Sequence, residues 1–215
     1  SEDFDERLAR AEPLPPCTSS TRRIDIGGLP PRLAVPVAGD ATGWRSRLAL
    51  VDAVSQPTAE HPLGRRQKAE RLRRALASGA ALLPLLGGHE EDLRRLAAQA
   101  DAGDPRLSWL AAHAPVWRAA GEKTLVFVAH RETLELLRAG LSQRAQLASG
   151  AFHEGLSAAR RDIEVAQFRS PAGPSLLVST ECGGEGRNFE FCRRLVLFDL
   201  PWNPLVVEQR VGRLD

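Results

Sequence analysis

Two short apolar runs near the end of the chain, Leu176–Val178 and Leu195–Phe198, limit its fold more than any other feature. Both are short, apolar throughout and closed by polar residues, so they read as strands buried on both faces, as in a parallel sheet. Ser179-Thr180 closes the first run and opens onto Gly183, Gly184 and Gly186. Backbone without Cβ atoms can approach a ligand there and aim successive N–H groups at an anion. Asp199 closes the second run; lacking a paired base, it reads as a structural residue at a strand end. Asn203 is a good N-cap and Pro204 a good first helical residue, which predicts a helix from Pro204 to the chain end. Val207, Val211 and Leu214 share the face that packs on the sheet, whereas Gln209 and Arg213, four residues apart, lie on another with Arg210 beside them. Two guanidiniums and an amide beside a glycine-rich loop suit a nucleotide phosphate, because arginine is always charged and forks onto phosphate oxygens.

Upstream, from Lys123, strand and helix patterns alternate, which indicates a parallel α/β sheet. Thr124–Ala129 reads as a buried strand, and Arg131–Arg144 as a helix with Leu134, Leu137 and Leu141 toward the sheet. A short strand is expected within Ala145–Phe152. After His153-Glu154-Gly155 comes a helix with Leu156, Ala159, Ile163 and Ala166 inward and Arg160 and Arg161 near its start. Residues 43–120 are mostly helical, with inward faces expected at Trp44, Leu48 and Val51, at Ala69, Leu72 and Leu76, and at Leu93, Leu96 and Ala100. Asp104-Pro105 starts a further helix, which Pro115 is expected to kink or end. Ile24 and Ile26, then Leu33, Val35 and Val37, alternate as half-buried strands do, and Pro36 implies a sheet edge. The fold class is therefore α/β: a parallel sheet sandwiched by helices in the C-terminal half, preceded by a mostly helical region with a short N-terminal β element.

Composition adds little. The chain is 43% hydrophobic, enough for a real core, and its formal net charge of +2 does not by itself indicate a polyanionic partner. All but two of its 29 basic residues are arginine, which reads as codon bias. Arg65, Arg66, Lys68, Arg71, Arg73 and Arg74 make one basic helix; a solvated charged face is the ordinary reading, since Glu70 interrupts it and no aromatics interleave. Cys17, Cys182 and Cys192 show neither disulfide nor zinc spacing, His61, His89 and His113 show no metal pairing, and no apolar run reaches the ~20 residues of a membrane span. A reducing cytoplasm is expected. The absence of Met, including a first one, implies part of a longer protein.

Three motifs in order now carry a resemblance. TECGGEGRNF resembles motif V and EQRVGRLD the first part of motif VI of superfamily-two helicases and translocases; FDLPWNP resembles the Swi/Snf-type branch, closest to bacterial RapA-like proteins. KTLVFVAHRETLELL resembles motif IV, and FHEGLSAARRDIEVAQF the segment that helps track a nucleic-acid strand. Leu29–Pro31 is similar to the exit from such a protein's first RecA-like lobe. The resemblance implies a tail and helical interlobe region over residues 1–120 and a second RecA-like lobe over 121–215, ending within motif VI.

The resemblance further implies a role for each residue. Arg213 would be an arginine finger; Glu185, Gly186, Asn188, Gln209 and Arg210 would line the nucleotide side of the interlobe cleft. Ser179, Thr180, His153, Arg160 and Arg161 would contact nucleic-acid backbone without reading bases. Trp202 and Asn203 would link the two sites. ATP with Mg²⁺ is the implied cofactor, its cradle and metal ligands expected in the first lobe because no GxxxxGK[ST] occurs here. Double-stranded DNA is the implied partner, with RNA sharing the same backbone chemistry, along with other proteins of a larger assembly and a nucleoid-associated place in the cytoplasm. An alternative is a catalytically inactive docking module. A dehydrogenase is disfavoured, because the glycines do not supply GxGxxG.

Overall fold

The computed structural model describes residues 33–37, 41–56, 64–180 and 188–214. The chain divides after residue 38. Of the first unit only 33–37 are described; they form no strand, and Leu33, Val35 and Val37 are exposed, contrary to the expected half-buried pattern. Ile24 and Ile26 lie outside the described residues.

In the second unit, helices α1 (Ala41–Ser55), α2 (Arg65–Ala77), α3 (Gly79–Leu82) and α4 (Glu91–Ala102) enclose a small core of Leu50, Val54, Ala75, Leu82, Leu86, Ala97 and Ala100. Gly79 is required at its position, since a Cβ there would stand 2.2 Å from the Ala97 carbonyl oxygen. Helix α5 (Pro105–Ala119) begins at the Asp104 cap, whose side chain accepts from the Arg106 N–H. It runs through Pro115 without ending. Pro115 sits on the exposed side, where water can satisfy the carbonyl one turn back that its missing N–H leaves open.

Four parallel strands follow: β1 (Thr124–Phe127), β2 (Ser149–Phe152), β3 (Leu176–Ser179) and β4 (Arg194–Leu197), in the order β2-β3-β1-β4. Period-two alternation gives each strand two buried faces. On one face, Val126, Val128, Leu176 and Val178 pack on Leu107, Leu110 and Ala114 of α5 and on Leu134, Leu137 and Leu141 of α6 (Arg131–Ala145). On the other, Leu125, Phe127 and Leu177 meet Phe168 of α7 (Ala158–Arg169), Phe189 and Cys192. β4 is an edge strand, with Arg194 exposed and Leu195, Val196 and Leu197 half-buried instead of sealed on both faces. Helix α8 spans Pro204–Val211 and tightens into a 3₁₀ turn, Gly212–Leu214, with Leu214 against the second core.

Three predicted helix faces are rotated. Leu48 of α1 is 65% exposed while Arg47, Leu50 and Val54 point inward; in α2, Ala69 and Leu76 face out while Leu72 and Ala75 face in. In α7 the exposed positions include Ala159, Ile163 and Ala166, and the inward ones are Glu164, Val165 and Phe168. In α1 and α7 the cause is a charged residue with a partner inside. Glu164 accepts the Ala151 N–H (3.1 Å), and Arg47, 4% exposed, donates to Asp104 (2.9 Å) and to carbonyls at the C-terminus of α2.

That second contact opens a chain of charge. Asp104, fully buried, also accepts from Arg106 Nη2 (2.7 Å), and Arg106 Nη1 reaches the Asp199 carboxylate (3.2 Å) while its guanidinium stacks 4.2 Å from the Phe198 ring centroid. Burial pushes the Asp104 carboxyl up, but the Arg106 hydrogen bond and the charges of Arg106 and Arg47 outweigh it, so it titrates below the usual carboxylate range. Removing one member of a buried pair strands the others, at a cost of about 3–5 kcal/mol. Asp104→Ala is therefore expected to lower unfolding free energy by about 3–5 kcal/mol in urea titrations; a loss near zero would show that the network contributes nothing to stability.

Candidate functional site

In open α/β sheets ligands bind outside the carboxyl ends of the strands. There Asp199, one residue past Phe198, ties three elements together. Its carboxylate accepts the Ala129 N–H at the end of β1 (2.9 Å) and the Arg106 guanidinium, and its carbonyl accepts from Arg210 Nη1 (2.9 Å). Burial pushes its carboxyl up, against the pull of Arg106, the Ala129 N–H, Arg47 and His130. The structural reading of Asp199 holds. Arg106 was not legible as its partner; the only local signal was its place just inside the Asp104 cap.

Arg210 does not join Gln209 on the open face. It is 4% exposed, with its guanidinium 5.2 Å from the Phe127 ring centroid, and so fastens α8 to the sheet. Gln209 is exposed and Arg213 half-exposed. The Phe189 N–H donates to the Arg213 carbonyl (2.7 Å), which brings Arg213 beside Asn188 across a long separation in sequence. The Asn188 amide donates to Glu190 (2.8 Å). Glu185 and Gly186 lie outside the described residues. Asn203 caps α8 by accepting the Leu205 N–H (3.0 Å), and Trp202 beside it is 81% exposed.

The residues expected to touch nucleic acid fall into two groups. Ser179, Thr180 and His153 are buried at the ends of β3 and β2. The Ser179 hydroxyl donates to the Thr180 carbonyl, the Thr180 hydroxyl donates to Glu154 (2.9 Å), and His153 Nδ1 accepts the Gly155 N–H (3.1 Å). Arg160 is exposed and pairs with Glu164 (2.7 Å), one turn on; Arg161 is half-exposed, 6.0 Å from the Phe152 ring centroid. Two further cationic or titratable groups open α6 at this edge, the exposed Arg131 and the half-buried His130. Among the described residues no three His, Cys, Asp or Glu side chains gather as a metal would need, and no helix is long and apolar enough to cross a membrane.

Burial, then the charge of Arg131, holds His153 below the ordinary histidine range; burial, then Arg74, does the same for His130. A base depressed in the folded state binds fewer protons there than in the unfolded chain. Its contribution to stability is therefore present above the unfolded value near 6.5 and is lost as pH falls toward the folded one. Unfolding free energy is expected to fall between about pH 7.5 and pH 5. In denaturant titrations the double substitution His130→Gln/His153→Gln should flatten that slope, and an unchanged slope would assign it to other groups.

Residues 106–214, half of the chain, match the helicase conserved C-terminal domain. The chain is 46% identical over 113 residues to RNA polymerase-associated protein RapA of Serratia proteamaculans, covering 52% of this chain and 12% of that protein. It thus spans about an eighth of the relative's length. The fold is similar to the SWI2/SNF2 ATPase core domain of Sulfolobus solfataricus, with a TM-score of 0.56 at 16% identity over 81% of this chain and 35% of that one. The same archaeal core in complex with double-stranded DNA matches with a TM-score of 0.50 at 19% identity over 80% and 34%. At such identities the likeness is one of fold, that of a RecA-like helicase C-terminal lobe.

Proposed function

The chain belongs to the helicase conserved C-terminal domain family, and from that premise we propose that it is the second RecA-like lobe of a Swi/Snf-type, RapA-like translocase that moves on double-stranded DNA at the expense of ATP. The observation that carries this reading is the main-chain bond from Phe189 to Arg213, since it sets Asn188 and Phe189 side by side with the turn after α8. There Arg213 offers a permanent positive charge to the γ-phosphate across an interlobe cleft. Asn188 and Gln209 line the same side, and Arg210 contributes by holding α8 in place. Phosphoryl transfer also needs a phosphate cradle, Mg²⁺ and a group to position water, and these fall to the first lobe.

The DNA backbone is gripped chiefly by Arg160 and Arg161 at the start of α7, where guanidiniums contact phosphates without reading bases. Ser179, Thr180 and His153 form the buried floor beneath that contact. Trp202, projecting next to the Asn203 cap, couples the nucleotide and DNA sides. The relative's association with RNA polymerase carries over only as a partner class, other proteins of a larger assembly.

The deciding experiment is DNA-stimulated ATP hydrolysis by the full-length protein, with Arg213→Ala and the present chain alone beside it. The expected result is DNA-accelerated turnover, a loss of about 10³-fold or more in Arg213→Ala, and silence from the isolated chain. Full-length protein that binds DNA without hydrolysing ATP would replace the motor with the docking-module reading.

A further inference from the structure

Six basic residues crowd α2, and the fold sorts them. Arg71 turns inward to Glu90 (2.6 and 3.0 Å) and the Leu85 carbonyl; Arg74 binds Glu70, Glu132 and the Ala81 carbonyl. Lys68 is half-exposed, and Arg65, Arg66 and Arg73 stay exposed. At 3.6 residues per turn these three flank Ala69 and the partly exposed Leu76 on one outward face. Glu70 lies at the border of that face and reaches Arg73 only at 3.8 Å, its closer bond going to Arg74.

A solvated helix face usually mixes signs, as α4 does with Glu91, Asp92, Arg94 and Arg95 and α7 does with Arg160, Arg161 and Asp162. On the outward face of α2 three arginines stand against one acid, Glu70, at its border. The first turn moreover holds Arg65 and Arg66 with no acidic residue, against the partial positive charge of the helix N-terminus, and the one acid of the helix, Glu70, gives its closer bond to Arg74. Such an arrangement finds its counter-charge in a partner. Arg65 and Arg73 are about 12 Å apart along the helix axis, a span of three to four phosphates at roughly 3.4 Å of duplex axis per strand. The C-terminal half of α2 abuts the first turn of α6 through Arg74–Glu132 (3.4 Å), next to the exposed Arg131 at the carboxyl edge of the sheet.

We propose that the Arg65–Arg66–Arg73 face of α2 is a second contact for the phosphate backbone of duplex DNA, extending the track of α7 onto the helical region. The inference rests on the reading of the chain as a DNA-tracking lobe and adds a surface to it. Its contacts are with phosphates alone, so they strengthen binding equally for all sequences.

The test is the binding of the 215-residue chain to a fluorescent duplex of about 30 base pairs, followed by anisotropy across a salt series. Arg65→Ala/Arg66→Ala/Arg73→Ala should make the log–log salt slope shallower by about 2 to 3 and weaken binding tenfold or more at about 100 mM salt. The corresponding triple lysine variant should retain binding, because a point charge suffices for phosphate. Unchanged affinity and slope in the alanine variant, or no binding by the unaltered chain, overturns the proposal. Arg160→Ala/Arg161→Ala separates the two readings. If only that variant loses affinity, the α2 face is not a contact and the α7 track stands; if only the α2 variant does, the face stands and the α7 track fails.

Discussion

The buried line of charge Arg47–Asp104–Arg106–Asp199 is the constraint on which the arrangement of this unit depends. It begins in α1, passes through the cap of α5 and ends at the carboxyl edge of the sheet, where Asp199 also holds β1 and α8. The hydrophobic cores do not do this. One encloses the helices and two cover the sheet, and apolar contact without direction would tolerate several relative placements. Hydrogen-bonded ion pairs tolerate far fewer, because each misplaced partner would leave a charge buried and alone. The Ser78–Thr133 hydroxyl bond (2.8 Å), within the same interface, adds a second directional tie.

This explains which parts of the fold were legible in the sequence. Leu134, Leu137 and Leu141 were readable as an inward stripe because they meet apolar side chains of α5 and the sheet, and period 3.6 then carries the signal. The faces of α1 and α7 were misread because Arg47 and Glu164 occupy inward positions that hydrophobicity assigns to solvent. Their partners, the Asp104 carboxylate and the Ala151 N–H, are distant in sequence. In α2 the inward positions again include an arginine, Arg71, whose acid, Glu90, comes nineteen residues later.

The candidate site divides along the same line. Its location followed from the strand runs and the Asn203-Pro204 helix start, both local signals that the structure reproduces. The orientation of its side chains did not follow. Gln209 and Arg210 on α8 and Arg213 in the turn after it are close neighbours in sequence, yet Arg210 is drawn under the sheet edge by the Asp199 carbonyl and the Phe127 ring, two features more than ten residues away. Ser179 and Thr180 look like free hydroxyls in sequence, but the parallel sheet that makes them strand ends also encloses them.

The edge position of β4 has a consequence of another kind. A terminal strand presents a ladder of backbone donors and acceptors that another chain could extend, which is the usual route to edge-to-edge aggregation. Here the strand is only four residues long and opens with Arg194, whose guanidinium is held by Glu122 (2.7 Å) and lies 5.1 Å from the Trp117 ring centroid. A pinned charge at the mouth of a short edge would have to be desolvated before a foreign strand could pair. The pinned Arg194 thus disfavours edge-to-edge pairing at this strand, a matter apart from any nucleotide or nucleic acid.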